Sequence, residues 1–128
     1  MTYIDWEYYS SLFLEIQDEK DFHRLGQRAE MKLDAITHMR ARRFWTEYSE
    51  ETATDFQKQV HQQIKNTVCE LVNAIYQQET TGMGTGVSSV SNDGYSESYK
   101  ITTAAEKEAQ LTGIIRNGLS GSGLAGAL

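Results

Sequence analysis

Apolar residues recur at three- and four-residue steps along two long stretches of the chain, which is the spacing of amphipathic helices. The first stretch runs from Asp18 to about Arg40, and its apolar stripe consists of Phe22, Leu25, Gly26, Ala29, Leu33, Ile36 and Met39. The second runs from about Glu50 to Glu79, and its stripe consists of Phe56, Val60, Ile64, Val68, Leu71, Val72, Ile75 and Tyr76. The pattern predicts a mainly α protein, a small helical bundle with two long helices.

Charged residues mark the ends of the first predicted helix. Acidic side chains crowd its start at Asp18, while Arg40, Arg42 and Arg43 follow its last apolar position. This order complements the helix macrodipole, which favours anions at the N-terminus and cations at the C-terminus. The helical spacing of apolar residues then breaks over residues 44–49. Ser49 is predicted to cap a new helix that starts at Glu50, because serine is a common N-cap residue.

The first residues are rich in aromatic side chains, and Asp5 is placed to cap a short helix from Trp6 to Leu14. So many large rings on a short segment must pack against something. One interpretation is that they cover the core of their own chain. The other is that Trp6 and Tyr8 contact a neighbouring subunit, since tyrosine and tryptophan are enriched at protein interfaces.

The composition changes at Thr80. Residues 80–86 have the character of a flexible linker, and residues 87–101 are rich in valine, serine and tyrosine around the turn sequence Asn92-Asp93-Gly94. We predict a β-hairpin that projects from the helical body. Because a lone hairpin is marginally stable in water, it is expected to pair with another surface. Its interface positions are Val87, Val90, Tyr95, Tyr99 and Ile101.

The C-terminal part begins with a capping box, Thr103 to Glu106, which predicts a helix over residues 103–117. Residues 118–128 are rich in glycine and serine with spaced leucines, and they are expected to form a flexible tail that becomes ordered on a partner. The predicted organisation is one domain over 1–128, with a helical body (1–79), a linker and hairpin (80–101), this helix and the tail.

Length and charge narrow the function classes. A chain of 128 residues suits one domain, and its longest apolar run is too short to span a membrane. An acidic N-terminus argues against a secretory signal, and the single Cys69 fits a reducing cytoplasm and a packed thiol. The net charge of −6 disfavours binding to the phosphate backbone of nucleic acids, which depends on lysine and arginine.

A search for catalytic chemistry yields little. The pairs Glu19–His23 and Asp34–His38 have an i,i+4 spacing that would bind a metal weakly, but such pairs are common on helix surfaces. No histidine belongs to a metalloprotease motif, and residues 82–86 lack the Lys-Ser/Thr that a phosphate-binding loop requires. We therefore predict no enzyme, no metal and no cofactor.

The basic run Arg40, Arg42 and Arg43 is followed by Phe44 and Trp45, and three interpretations remain open. On the first, the arginines complete a helix C-terminus beside core aromatics. On the second, they contact the acidic first helical turn of a neighbouring subunit. Alternatively, arginines interleaved with aromatics bind nucleic acid by charge and stacking. On this last interpretation, the chain is a small helical nucleic-acid-binding regulator.

The order of these segments resembles the head–tail connector (head-completion, or adaptor) family of tailed bacteriophages and prophages. The resemblance covers nearly the whole chain and lies in packing and turn residues. Its parts are the opening Tyr3 to Tyr9, the run Phe22 to Ala29 with Leu33 to Thr37, the helix end Val68 to Tyr76, the hairpin Val87 to Tyr99, and the closing Ile114 to Arg116 with Leu119 to Leu124. The chain departs from many members in lacking a proline near the start of the first long helix and an aromatic-basic ending.

The resemblance implies a ring of subunits, typically twelve, below the portal of a DNA-filled capsid. Such a ring extends the DNA channel and provides the docking surface for a stopper or tail protein. It implies a virion protein assembled in the bacterial cytoplasm, with DNA passing through an electronegative channel without specific binding. The implied portal-binding residues are Leu119, Gly121, Gly123, Leu124 and Leu128; the implied subunit and downstream contacts lie in the hairpin.

Overall fold

The chain is mainly helical, as the sequence predicts. The computed structural model describes residues 3–49, 51–80 and 103–124, and these ranges contain five helices and no strand. The helices are α1 (Trp6–Leu12), α2 (Glu19–Ile36), α3 (Arg40–Glu47), α4 (Asp55–Thr80) and α5 (Ala104–Gly118). Among the described residues, no helix is long and apolar enough to cross a membrane. The predicted hairpin over 87–101 lies outside the described residues and is not borne out.

Helices α2, α4 and α5 form an antiparallel bundle around the core. Near the end of α4, Glu79 pairs with Arg24 at the start of α2, and Gln78 donates to Gln110 at 2.7 Å. At the opposite end of the bundle, Gln63 of α4 donates to the Ser120 carbonyl just after α5 at 2.8 Å. The central core side chains are fully or almost fully buried and come mostly from these three helices: Leu25, Leu33, Val60, Ile64, Val68, Leu71, Val72 and Ile115.

Three predicted helix starts are confirmed by their hydrogen bonds. Asp5 accepts from the Tyr8 N–H, and Asp18 accepts from the Lys20 N–H, both at 2.8 Å. At α5 the capping box is reciprocal, since the Thr103 hydroxyl accepts from the Glu106 N–H and Glu106 accepts from the Thr103 N–H, each at 3.1 Å. Each cap supplies a partner to a backbone donor that the first helical turn leaves unpaired.

The first long helix ends earlier than predicted. α2 stops at Ile36, and His38 and Met39 adopt positive φ of 54° and 64°. Thr37 makes this break possible because its buried hydroxyl donates to the Leu33 carbonyl and accepts from the Ala41 N–H. The following arginines therefore lie in the first turn of α3, so their predicted role at a helix C-terminus is wrong.

The second long helix begins later than predicted. Ser49 does not cap it; its hydroxyl lies 3.1 Å from that of Thr52. The cap is Thr54, whose hydroxyl accepts from the Gln57 N–H while Gln57 accepts from the Thr54 N–H. This is a second reciprocal capping box, and it places the start of α4 at Asp55.

The segment after α5 is packed through Leu124, which corrects the predicted flexible tail for residues 118–124; residues 125–128 lie outside the described residues. Leu119 is 1% exposed and Leu124 is 8% exposed, so both join the core. Gly121 and Gly123 have φ of 82° and 83°, a conformation that glycine adopts at little cost. Leu124 follows these turns, and Arg40 donates to its carbonyl at 2.9 Å.

The ion pair between α2 and the end of α4 gives a pH-dependent prediction. Hydrogen bonds from Arg24 and Arg28 hold the pKa of Glu79 below its usual value. The carboxylate therefore stabilises the fold above the pKa it has in the unfolded chain, and this contribution is lost as the pH falls through the folded-state pKa. We expect Glu79→Gln to lower the urea midpoint slightly at pH 7, because exposed pairs are screened by water. The difference from the parent chain should vanish in acid; an unchanged difference at all pH values would contradict this assignment.

Candidate interaction surfaces

A buried polar cluster joins the N-terminus to α2 and α3. The Tyr3 N–H donates to Glu30 at 2.8 Å, and the Tyr3 hydroxyl donates to Asp34 at 2.5 Å. Arg42 bridges both carboxylates, with nitrogen-to-oxygen distances of 3.3 Å to Glu30 and 3.1 Å to Asp34. Its guanidinium also lies 4.0 Å from the centre of the Tyr3 ring, which packs edge-on against Trp45. The cluster fastens the chain's opening to the bundle.

Burial sets the electrostatics of this cluster. It raises the pKa of Glu30, an effect that the Tyr3 N–H and Arg42 oppose without cancelling. Burial, together with the hydrogen bond to Asp34, also raises the pKa of the Tyr3 hydroxyl well above its usual value. The cation of Arg42 is the charge that offsets two carboxylates in a poorly hydrated place.

The structure does not place the three predicted arginines on one basic surface. Arg42 is turned inward to the cluster just described, and Arg40 is half-buried beside the Leu124 carbonyl. Arg43 is exposed. Phe44 and Trp45 pack against His61 of α4, with ring centres 5.6 and 4.6 Å away. The two rings that would stack on nucleotide bases, Phe44 and Trp45, therefore pack within the chain itself.

The leading aromatics cover the core of their own chain. Trp6 packs against Phe22, with ring centres 5.5 Å apart. Tyr9 is fully buried, and its hydroxyl donates to Asn73 of α4 while accepting from the Ile16 N–H. Tyr8 is half-buried and donates to Asn66 at 2.8 Å. The covering interpretation holds for these rings, and a contact of Trp6 or Tyr8 with a neighbouring subunit stays a prediction.

Several large apolar side chains are exposed on the described surface. They are Leu12, Leu14, Met31, Met39 and Phe56, with exposed fractions of 57%, 79%, 71%, 48% and 56%. Two of these positions, Met39 and Phe56, correct the sequence prediction, which placed both in the buried stripes. Phe56 lies in the first turn of α4, before the helix meets the core at Val60.

Leu12 and Leu14 are exposed at the end of α1 and just after it. Phe13 between them is the C-cap of α1 and has extended φ and ψ of −129° and 144°. Phe13 itself turns inward and stacks on Tyr9, with ring centres 5.5 Å apart.

Phe56 borders a cleft on the earlier half of α4. The cleft encloses about 460 Å³ and is lined by Phe56, Gln59, Gln62, Gln63, Asn66, Ser120 and Gly121. None of these side chains is charged, although 23% of the chain's residues are charged. Depletion of charge around an aromatic residue is typical of the centre of a protein interface.

Metal and catalytic chemistry find little support among the described residues. Residues 3–49, 51–80 and 103–124 contain no group of three potential metal ligands. Glu19 and His23 lie 3.2 Å apart but stand exposed on one helix, while Asp34 turns away from His38 toward Tyr3 and Arg42. His61 is buried, with Nε2 bonded to the Tyr48 carbonyl.

The thiol of Cys69 is packed, as the sequence predicts. It is fully buried, and burial raises its pKa to about 12. Because the thiolate is the reactive form, we expect no labelling by a thiol reagent at pH 8 in the folded protein. Labelling should appear together with unfolding when urea is added. Rapid labelling of the folded chain would contradict this arrangement.

The predicted portal and hairpin residues divide into three groups. Leu119 and Leu124 are buried in the chain's own core, whereas Gly121 and Gly123 are exposed. Leu128 and all five hairpin positions (Val87, Val90, Tyr95, Tyr99 and Ile101) lie outside the described residues, so their assignments stay predictions.

The Tyr3 cluster and the Phe56 cleft were missed by the sequence analysis because both join residues from distant parts of the sequence.

Comparison with known proteins does not assign this chain to a family. No family model, no curated protein and no solved structure matches this chain.

Proposed function

We propose that this chain is a structural head–tail connector subunit of a tailed phage or prophage. It assembles in the host cytoplasm into a ring below the portal of the virion. The ring extends the DNA channel and offers a docking surface to a stopper or tail protein. The proposal involves no catalysis and no cofactor, and DNA passes through without specific binding.

One structural observation supports the proposal above the others: a helical body exposes large apolar side chains at separate places along the chain. Each subunit of a ring meets its neighbours through two different surfaces, because head-to-tail contacts are heterologous. Leu12 and Leu14 near the end of α1, and Phe56 in the first turn of α4, are exposed side chains around which two such surfaces could form.

The structure weighs against the alternative of a nucleic-acid-binding regulator. Arg42 is neutralised by two carboxylates, and Trp45 packs on Tyr3 and His61, so neither is presented as a binding platform. A filter-binding assay over a range of salt concentrations tests this alternative directly. Tight binding that weakens steeply with salt would favour the regulator, since such dependence reports the release of phosphate counterions.

The connector proposal is tested by deleting this gene alone in the phage or prophage that encodes it. We expect electron micrographs of the deletion strain to show DNA-filled or leaking heads beside free tails. Supplying the gene in trans should restore joined particles. Intact, infectious, tailed particles from the deletion strain would overturn the proposal.

A further inference from the structure

We infer that the N-terminal segment is a latch that closes on proton uptake: one proton taken up by Glu30 holds Tyr3 more firmly against α2 and α3. The latch consists of Tyr3 and the three side chains that hold it, Glu30, Asp34 and Arg42. The inference concerns the response of this chain to pH and does not depend on the connector role. It rests on the way in which two carboxylates share one arginine away from water.

The latch holds more negative than positive charge. The side chains of Glu30 and Asp34 are only 10% and 15% exposed, and among the residues that the structure describes, Arg42 is the one cation paired with them. Two ionised carboxylates beside one guanidinium leave one negative charge uncompensated. Because such a charge is costly away from water, a buried group tends to become neutral instead. A single bound proton would restore the balance.

Glu30, rather than Asp34, is the group that takes the proton. Asp34 accepts from the Tyr3 hydroxyl at 2.5 Å, and both Nε and Nη2 of Arg42 lie 3.1 Å from its other oxygen. Arg42 lies farther from Glu30, at 3.3 Å, and the second donor to Glu30 is the uncharged Tyr3 N–H. Glu30 therefore receives the weaker stabilisation of its charged form. Consistent with this geometry, burial raises the pKa of Glu30, and the nearby charge of Asp34 reinforces the rise.

The coupling between the proton and the latch has a definite sign. When Tyr3 leaves, Glu30 becomes hydrated and its pKa returns toward the usual value of a glutamate. The closed latch therefore gains fully from Glu30 below the pKa of the open state. This gain is lost as the pH rises through the higher pKa of the closed state.

The other groups that face Glu30 do not reverse this sign. Among the described residues they are Arg42 on α3, Asp34 on α2 and Tyr3. A guanidinium stays charged at any pH near neutrality. Burial raises the pKa of the Tyr3 hydroxyl, which therefore remains a donor to Asp34. Only the carboxylates change charge as the solution is acidified.

Carbon-13 NMR of the glutamate side chains tests the proton uptake. We would titrate the assigned Glu30 carboxyl from about pH 8 to about pH 4, a range that spans the usual glutamate pKa and its raised value. The same titration is made on the chain unfolded by urea. We expect the higher pKa in the folded chain. An equal or lower pKa in the folded chain would overturn the inference, and this measurement needs no variant.

Hydrogen exchange of the Tyr3 amide tests whether the proton closes the latch, because this N–H donates to Glu30. The observable is its protection, the ratio of the intrinsic to the measured exchange rate at each pH. Protection should rise as the pH falls, by up to about tenfold for each pH unit between the two pKa values.

Two glutamine variants assign this rise. Glu30→Gln removes the group that takes up the proton and should abolish the rise. Glu47→Gln changes an exposed glutamate at the end of α3 and should leave the rise as it is in the parent chain. A rise that persists in Glu30→Gln, or a parent chain in which protection of the Tyr3 amide does not rise in acid, would overturn the inference.

Discussion

Replacing Arg42 by methionine should destabilise the fold by about 3 to 5 kcal/mol, which is the usual cost of removing one partner from a buried ion pair. Methionine keeps much of the side-chain length but leaves Glu30 and Asp34, whose side chains are only 10% and 15% exposed, without their cation. The Tyr3 ring also loses the guanidinium that lies 4.0 Å away. The loss is large against the roughly 5 to 15 kcal/mol that stabilises a typical domain.

The measurement is urea unfolding followed by circular dichroism, with Arg43→Met as the matched control. Arg43 is the next residue and is exposed, so its replacement should change the free energy of unfolding by less than about 0.5 kcal/mol. Equal effects of the two substitutions would mean that Arg42 does not hold the buried cluster together. A partial recovery in the double variant Arg42→Met with Asp34→Asn would further support the charge argument.

Replacing Gly118 by alanine should cost about 1 to 3 kcal/mol, the range for forcing an atom into a packed site. A Cβ at this position would lie 2.1 Å from the Thr67 hydroxyl oxygen and 3.0 Å from the Thr67 Cβ. Thr67 cannot move away freely, because it is 1% exposed and donates to the Gln63 carbonyl at 2.7 Å. The close approach of α5 to α4 thus depends on the absence of a side chain at Gly118.

Gly113→Ala on the same helix is the control for this effect. A Cβ at Gly113 meets nothing within 4 Å, so the substitution should stabilise by about 0.5 to 1 kcal/mol through helix propensity alone. Combining Gly118→Ala with Thr67→Ala should cost less than the sum of the two single changes, as expected for residues in contact. Strict additivity would contradict the steric explanation.

Local signals in the sequence predicted much of the helical frame. Asp5 and Thr103 act as caps where the sequence places them, because a cap depends only on the next few residues. The break at Thr37 was missed since neither glycine nor proline marks it; a buried threonine bonded to both helices compensates for two residues at positive φ. The true cap at Thr54 was overlooked in favour of Ser49, although Thr54 and Gln57 have the spacing of a capping box.

The candidate surfaces depended on tertiary structure that sequence reasoning could not supply. Asp34 and Arg42 are close in sequence, but their pairing with Tyr3 follows from the reversal at Thr37. Phe56 continues the apolar period of α4, yet the helix projects beyond the core at that end and leaves the ring exposed. The tail shows the opposite error, since Leu119 and Leu124 are buried although two glycines lie between them.

The central claim is that this chain is a ring-forming component of the head–tail junction. The most direct measurement is a cryo-electron microscopy reconstruction of the portal vertex in virions of the phage or prophage that encodes it. We predict a ring of helical density below the portal into which the α2, α4 and α5 bundle fits once per subunit. A junction that contains no such ring, in particles from which mass spectrometry detects none of this chain, would contradict the account.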